Sequence, residues 1–160
     1  MSVVVNDNDI VFTYTLATLN DKVQQLSARA AQSFPPEEGI SMVDKYAVTD
    51  DEQDTIILKM KDAGKQVFQY FGKLTFGITN AQTITDASVE LKIKKETGGN
   101  PNTPKDIDLV IEEALVNYIL GEWFVIKGRM DQAQAYSTLF NLKIREILRL
   151  SAELRKPAIG

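Results

Sequence analysis

The stretch "EALVNYILGEWFVIKGRMDQAQAYSTLF", Glu113 to Phe140, decides the fold of this chain. It holds the single Trp, and its first half is apolar on several sides. Asn117, Gly121, Glu122 and Lys127 interrupt the apolar run, so it is too polar to span a bilayer. Ile107, Ile111, Ala114 and Tyr118 carry one helical face into it, and the spacing predicts a helix from Pro104 to Ile126. Thr103 is read as its cap and Pro104 as its first residue. Gly128 is a stop signal. Ala133, Tyr136, Phe140, Ile144, Ile147 and Leu154 then mark a second helix, Met130 to Leu154, closed by Pro157. A connection this short forces the two helices into an antiparallel hairpin.

Outward from the hairpin, two further helices are expected. Phe12, Leu16, Leu19, Val23, Leu26 and Ala30 recur at helical spacing, yet Ile10, Phe12, Tyr14 and Leu16 also alternate as in a strand. The two patterns are reconciled by a short strand near Ile10–Tyr14 that runs into a helix near Leu16–Gln32. In "TDDE", Thr49 and Glu52 make a capping box for a helix over roughly Asp50–Phe71, with Gly72 at its stop. Val89, Leu91 and Ile93 alternate with Glu90, Lys92 and Lys94, which predicts a strand with one apolar face. Its backbone needs a partner. Phe76–Thr79, Thr83–Thr85 and Ile10–Tyr14 are the candidates. The expected class is α+β, mainly α: four helices ending in an antiparallel helical hairpin, with a small antiparallel sheet, in one domain over residues 1–160.

The composition excludes much chemistry. The chain has 160 residues, 44% of them hydrophobic and 25% charged, and contains neither Cys nor His. Disulfides, thiolate zinc sites, Cys nucleophiles, imidazole acid–base catalysis and His-ligated metals are therefore ruled out. No catalytic motif uses the remaining carboxylates, Lys, Tyr, Ser and Thr, so neither an enzyme nor a cofactor is expected. The N-terminal "MSVVVNDND" has no basic start and no long apolar run, so a signal peptide is not expected.

The candidate polar sites read as ordinary surface. Asp50, Asp51, Glu52 and Asp54 lack the spacing of a calcium loop and suit a helix start. Glu112 and Glu113 point in different directions, and Glu122 lies more than two turns on. "TGGNPN" is neither a P-loop nor a dinucleotide fingerprint. Charge is uneven along the chain. Residues 1–126 hold 11 basic and 19 acidic side chains, whereas residues 127–160 hold 7 basic and 3 acidic. Such a split favours contact with a complementary surface. The candidate subunit interface is Val89, Leu91, Ile93, Trp123, Arg145, Arg149, Arg155 and Lys156, with Trp123 pointing either into the hairpin core beside Tyr136 and Phe140 or out to a sister subunit.

The element order adds a resemblance. A strand–helix start precedes a "TDDE"-capped helix ending in "VFQYFG". The strand "SVELKIKK" follows, then the hairpin, of which "VNYILGEWF" and "AQAYSTLFNLKIREI" are the most specific parts, and the basic tail "ELRKPAIG". From about Val11 to Pro157 this resembles the head–tail connector, or adaptor, ring proteins of tailed bacteriophages of the crAss-like type. The resemblance implies a structural subunit of the virion, assembled in the host cytoplasm. It implies a homo-oligomeric ring, typically dodecameric, below the portal protein and above tail or further ring proteins. DNA would pass through the channel without sequence-specific binding, along a wall free of strong positive charge, and no membrane is involved. A tail-completion or terminator ring subunit, and a small cytoplasmic helical protein-binding module, are the alternatives.

Overall fold

The computed structural model describes residues 2–7, 9–74, 81–94 and 101–154, with backbone alone for 71–74. The elements are β1 (Ser2–Val5), β2 (Asp9–Thr15), α1 (Leu16–Gln32), α2 (Met42–Tyr46), a 3₁₀ turn (Asp50–Glu52), α3 (Gln53–Leu74), β3 (Ala81–Ile84), β4 (Ser88–Lys94), α4 (Thr103–Ile126) and α5 (Met130–Leu154). The class is the expected one: four long helices with a small antiparallel sheet.

β2 passes straight into α1. The turn is made by Thr15, whose backbone is still extended while its Oγ1 accepts the Thr18 amide at 3.3 Å. Both periodicities of this segment are therefore real, one on each side of Thr15. The sheet order is β1-β2-β4-β3, and every pair is antiparallel. β2 and β4 run in full register from Asp9 opposite Lys94 to Thr15 opposite Ser88. The alternating side chains put Ile10, Phe12, Tyr14, Val89, Leu91 and Ile93 on one buried face. Two of the three candidate partners of β4 thus flank it on opposite sides, and Phe76–Thr79 lies outside the described residues.

α4 is the axis of the domain. Its mixed apolar surface is explained by neighbours on nearly every side: α5, α3 and α1, with β1 and β2 beyond. α5 passes beside Gly121, where a Cβ would make ordinary van der Waals contact with the Ala133 carbonyl and the Ser137 amide at 3.6 Å. The helix ends in a Schellman motif. Gly128 takes φ +71°, its amide donates to the Val125 carbonyl at 3.0 Å, and the Arg129 amide donates to the Phe124 carbonyl at 2.8 Å. α3 lies over the sheet at Gly64, where a Cβ would sit 2.9 Å from Val89 Cγ1.

Three local expectations are corrected. Gly72 lies inside α3, which runs on to Leu74. The cap of α4 is Asn102 rather than Thr103, which moves Pro104 one residue inward and still within the first turn, where its missing N–H costs nothing. The capping box of Thr49 and Glu52 is present, but it opens the 3₁₀ turn ahead of α3.

Candidate functional site

Four of the eight interface residues expected from sequence are core. Val89, Leu91, Ile93 and Trp123 are all buried within the chain. β4 has no free edge to offer a neighbour, because β2 and β3 occupy both. Trp123 points inward, and its Nε1 donates to the Tyr46 carbonyl at 2.8 Å. A sister subunit has no access to it. Nor is it the aromatic partner of Tyr136 and Phe140. Phe124 stacks on Tyr136 at 5.7 Å and Tyr118 meets Phe140 edge-on at 5.4 Å. Arg145 and Arg149 are exposed on α5. Arg155 and Lys156 lie outside the described residues.

The surface of the hairpin supplies what sequence reading missed. Val125, Ile126 and Met130 at its tip, and Leu139 and Leu142 along α5, are between 43% and 63% exposed. Leu139 and Leu142 lie off the Ala133–Phe140–Ile144–Ile147 line, which was the available signal. At the tip no such signal exists, because α4 is apolar all round.

Two grooves flank the hairpin. One, of about 500 Å³, runs between α4 and α5 from Val125 and Met130 to Asn141, past Tyr118, Glu122 and Ser137. The other, of about 360 Å³, opens between α1 and α5 over α4. Its floor carries two ion pairs, Lys22 with Glu112 at 2.7 Å and Lys143 with Glu113 at 2.5 Å. The hydrogen bond and charge of Glu113 hold the Lys143 ammonium above its usual range. Glu122 pairs with Lys59 at 3.1 Å. Each of the three α4 glutamates therefore faces a lysine.

Within the acidic run Asp50–Asp54, Glu52 meets the hairpin tip. Glu52 accepts from the Thr49 amide and hydroxyl, each at 2.8 Å, and from Lys127 Nζ at 3.1 Å. Partial burial alone would raise the Glu52 carboxyl, but these donors hold it below its usual value. Among the described residues, no group of three or more acidic side chains is placed to hold a metal ion. No described helix is long and apolar enough to cross a membrane.

Besides Glu112, the Asp108 carboxylate is buried. Tyr14 Oη donates to Asp108 Oδ1 at 2.8 Å and lies 3.1 Å from the Asp108 carbonyl, tying the sheet to α4. Burial pushes the Asp108 carboxyl up; the Tyr14 hydroxyl opposes this and the Glu112 charge adds to it. Burial, and then Asp108, push the Tyr14 phenol up as well. A carboxyl raised in the folded state stabilises the fold while it is protonated. That contribution is lost as pH rises through the folded pKa. Asp108→Asn keeps an acceptor for Tyr14 and removes the titration. The variant is expected to melt higher than the parent at neutral pH, on a scale of about 2–4 °C for each kcal/mol gained. The difference should shrink on acidification through the Asp108 titration, which thermal melts across pH will check.

The chain matches no protein-family model, and no curated protein and no solved structure matches it.

Proposed function

We propose that this chain is a structural subunit of a phage virion that works as an oligomer, forming a head–tail connector ring below the portal and extending the DNA channel towards the tail. The observation that carries the reading is the outward surface of the α4–α5 hairpin. It keeps five large apolar side chains, Val125, Ile126, Met130, Leu139 and Leu142, in water. Apolar surface rimmed by charge marks a contact surface in a soluble chain. The element order, which resembles that of connector proteins, supplies the kind of assembly. Partners on this reading are copies of the chain, the portal protein, and tail or further ring proteins. DNA passes without sequence-specific contact.

The groove between α4 and α5 favours a second reading, a small helical module that binds one partner segment. Native mass measurement and negative-stain imaging of the purified chain separate the two. A ring of defined copy number is the expected result. A chain that stays monomeric at the highest attainable concentration, and is absent from virion particles, overturns the connector reading and leaves the module.

A further inference from the structure

We propose that copies join head to tail, with the hairpin tip of one copy seated on the outward face of α5 of the next. This rests on the assembly reading above and names the two surfaces that meet. The first is the pole built from the hairpin turn, the 3₁₀ turn and the loop that carries α2. The ion pair of Lys127 with Glu52 and the bond from Trp123 to Tyr46 hold these parts together. Val125, Ile126 and Met130 form its exposed apolar centre.

The pole is acidic. Residues 33–54 carry seven acidic side chains and one basic. The cations of the turn are engaged within the pole. Lys127 meets Glu52 at 3.1 Å and stands 4.5 Å above the Trp123 ring. Arg129 meets Asp131 at 2.9 Å and lies 3.9 Å from the Phe34 ring. Asp51 and Asp54 are exposed beside them. Asp50 is exposed too and accepts from Gln24 at 2.8 Å.

The second surface is the side of α5 turned away from α4. Leu142, Arg145 and Arg149 follow at spacings of three and four and share this face, and Leu139 lies at its edge beside the groove over α4. All four are exposed. Arg145 has no ion pair among the described residues, and Arg149 meets Glu153 at 2.9 Å. Glu146, on the flank of this face, lies 3.5 Å from Lys143. The face therefore offers two leucines and cationic charge to a partner, where the pole offers three apolar side chains and anionic charge.

Neither surface is its own complement. Tip against tip brings Asp51 and Asp54 of two copies together, and α5 against α5 brings Arg145 and Arg149 together. Like charges across an interface disfavour both pairings. Tip against α5 matches apolar to apolar and acid to base. A contact between two different patches repeats from copy to copy and closes into a ring when the rotation permits.

The absence of cysteine makes the test specific. Ile126→Cys and Leu142→Cys are made singly and mixed, with a short bismaleimide as linker. Cross-linked dimers are expected in the mixture and not in either single variant, and the double variant should give a ladder. Arg145→Glu combined with Arg149→Glu is expected to weaken assembly by at least about tenfold. Asp51→Lys with Asp54→Lys in the partner copy should restore it. The Trp123 emission of each variant reports that the fold is kept. Cross-linking of a single variant with itself, or an oligomeric parent chain whose mixture gives no dimer, overturns the head-to-tail contact and leaves the assembly reading intact. A parent chain that remains monomeric overturns both.

Discussion

Trp123→Ala is expected to cost the folded chain about 3–5 kcal/mol, the range for truncating a fully packed Phe or Trp. Trp123 is among the largest fully buried side chains. Its loss opens a cavity on α4 beside the end of α2, where the indole reaches the Tyr46 carbonyl. The Nε1 bond to the Tyr46 carbonyl goes with it. Trp123→Phe divides the effect into parts. It keeps most of the apolar volume and leaves the Tyr46 carbonyl without its donor, for about 1–3 kcal/mol. Urea midpoints followed by far-UV circular dichroism will give both numbers, since the fluorescent reporter is the residue removed. A Trp123→Ala chain that unfolds within about 1 kcal/mol of the parent would show that the indole is not packed as described.

Gly64→Leu is expected to be the second most damaging change, at about 3 kcal/mol, the upper end of overpacking costs. The reason lies in what faces the glycine. Val89 Cγ1 is 2.9 Å, and Ile84 Cδ1 3.1 Å, from where a Cβ would stand. Val89 is buried in an inner strand and, being β-branched, has little rotamer freedom with which to yield. A leucine must therefore lift α3 from β3 and β4. Even Gly64→Ala should destabilise, although alanine is the better helix former by about 1 kcal/mol. Adding Val89→Ala to Gly64→Ala should recover part of the loss, because the two sites touch and their effects are not additive. Thermal melts of the two single variants and the double variant will decide this. Equal and additive losses would place the strain elsewhere.

The parts legible in the sequence were those with a period and a cap. α5 has the predicted bounds, Met130–Leu154, and the junction at Thr15 between strand and helix was readable because a period of two gives way to one of three to four there. β4 was readable from its alternation, but alternation names a face and not a neighbour, so its two partners stayed among three candidates. β1 and α2 were not read at all. "SVVV" is a continuous apolar run with no alternation to mark it. A five-residue helix has no period, and its only signal was Ser41, whose hydroxyl accepts the Asp44 amide at 3.3 Å.

Four of the eight candidate interface residues are covered within the chain for a physical reason. Val89, Leu91 and Ile93 form the apolar face of an amphipathic strand and Trp123 lies on a helix apolar on more than one side, and such residues are the ones a fold covers first. On α4, apolar all round, a helical wheel cannot say which side meets which neighbour. The direction of Trp123 is settled by a carbonyl 77 residues earlier in the chain, which no local pattern reports. Arg145 and Arg149, chosen for charge rather than hydropathy, are the candidates that do lie at the surface among the described residues.

The sheet order carries a consequence for how the chain reaches this state. β1 and β2 are neighbours in sequence and can pair as soon as both exist, and so can β3 with β4, and α4 with α5. The central pair, β2 with β4, instead joins Thr15 to Ser88 and must enclose α1, α2 and α3 in the loop. Closing a loop is paid in entropy before its contacts return anything, which slows pairings of this kind. A chain emerging from its N-terminus therefore holds Ile10, Phe12 and Tyr14 uncovered until α4, which follows β4 in sequence, packs on the sheet. The meeting of the two halves across the middle of the sheet is the pairing with the longest loop to close, and a copy that associates before it does so with its core still open.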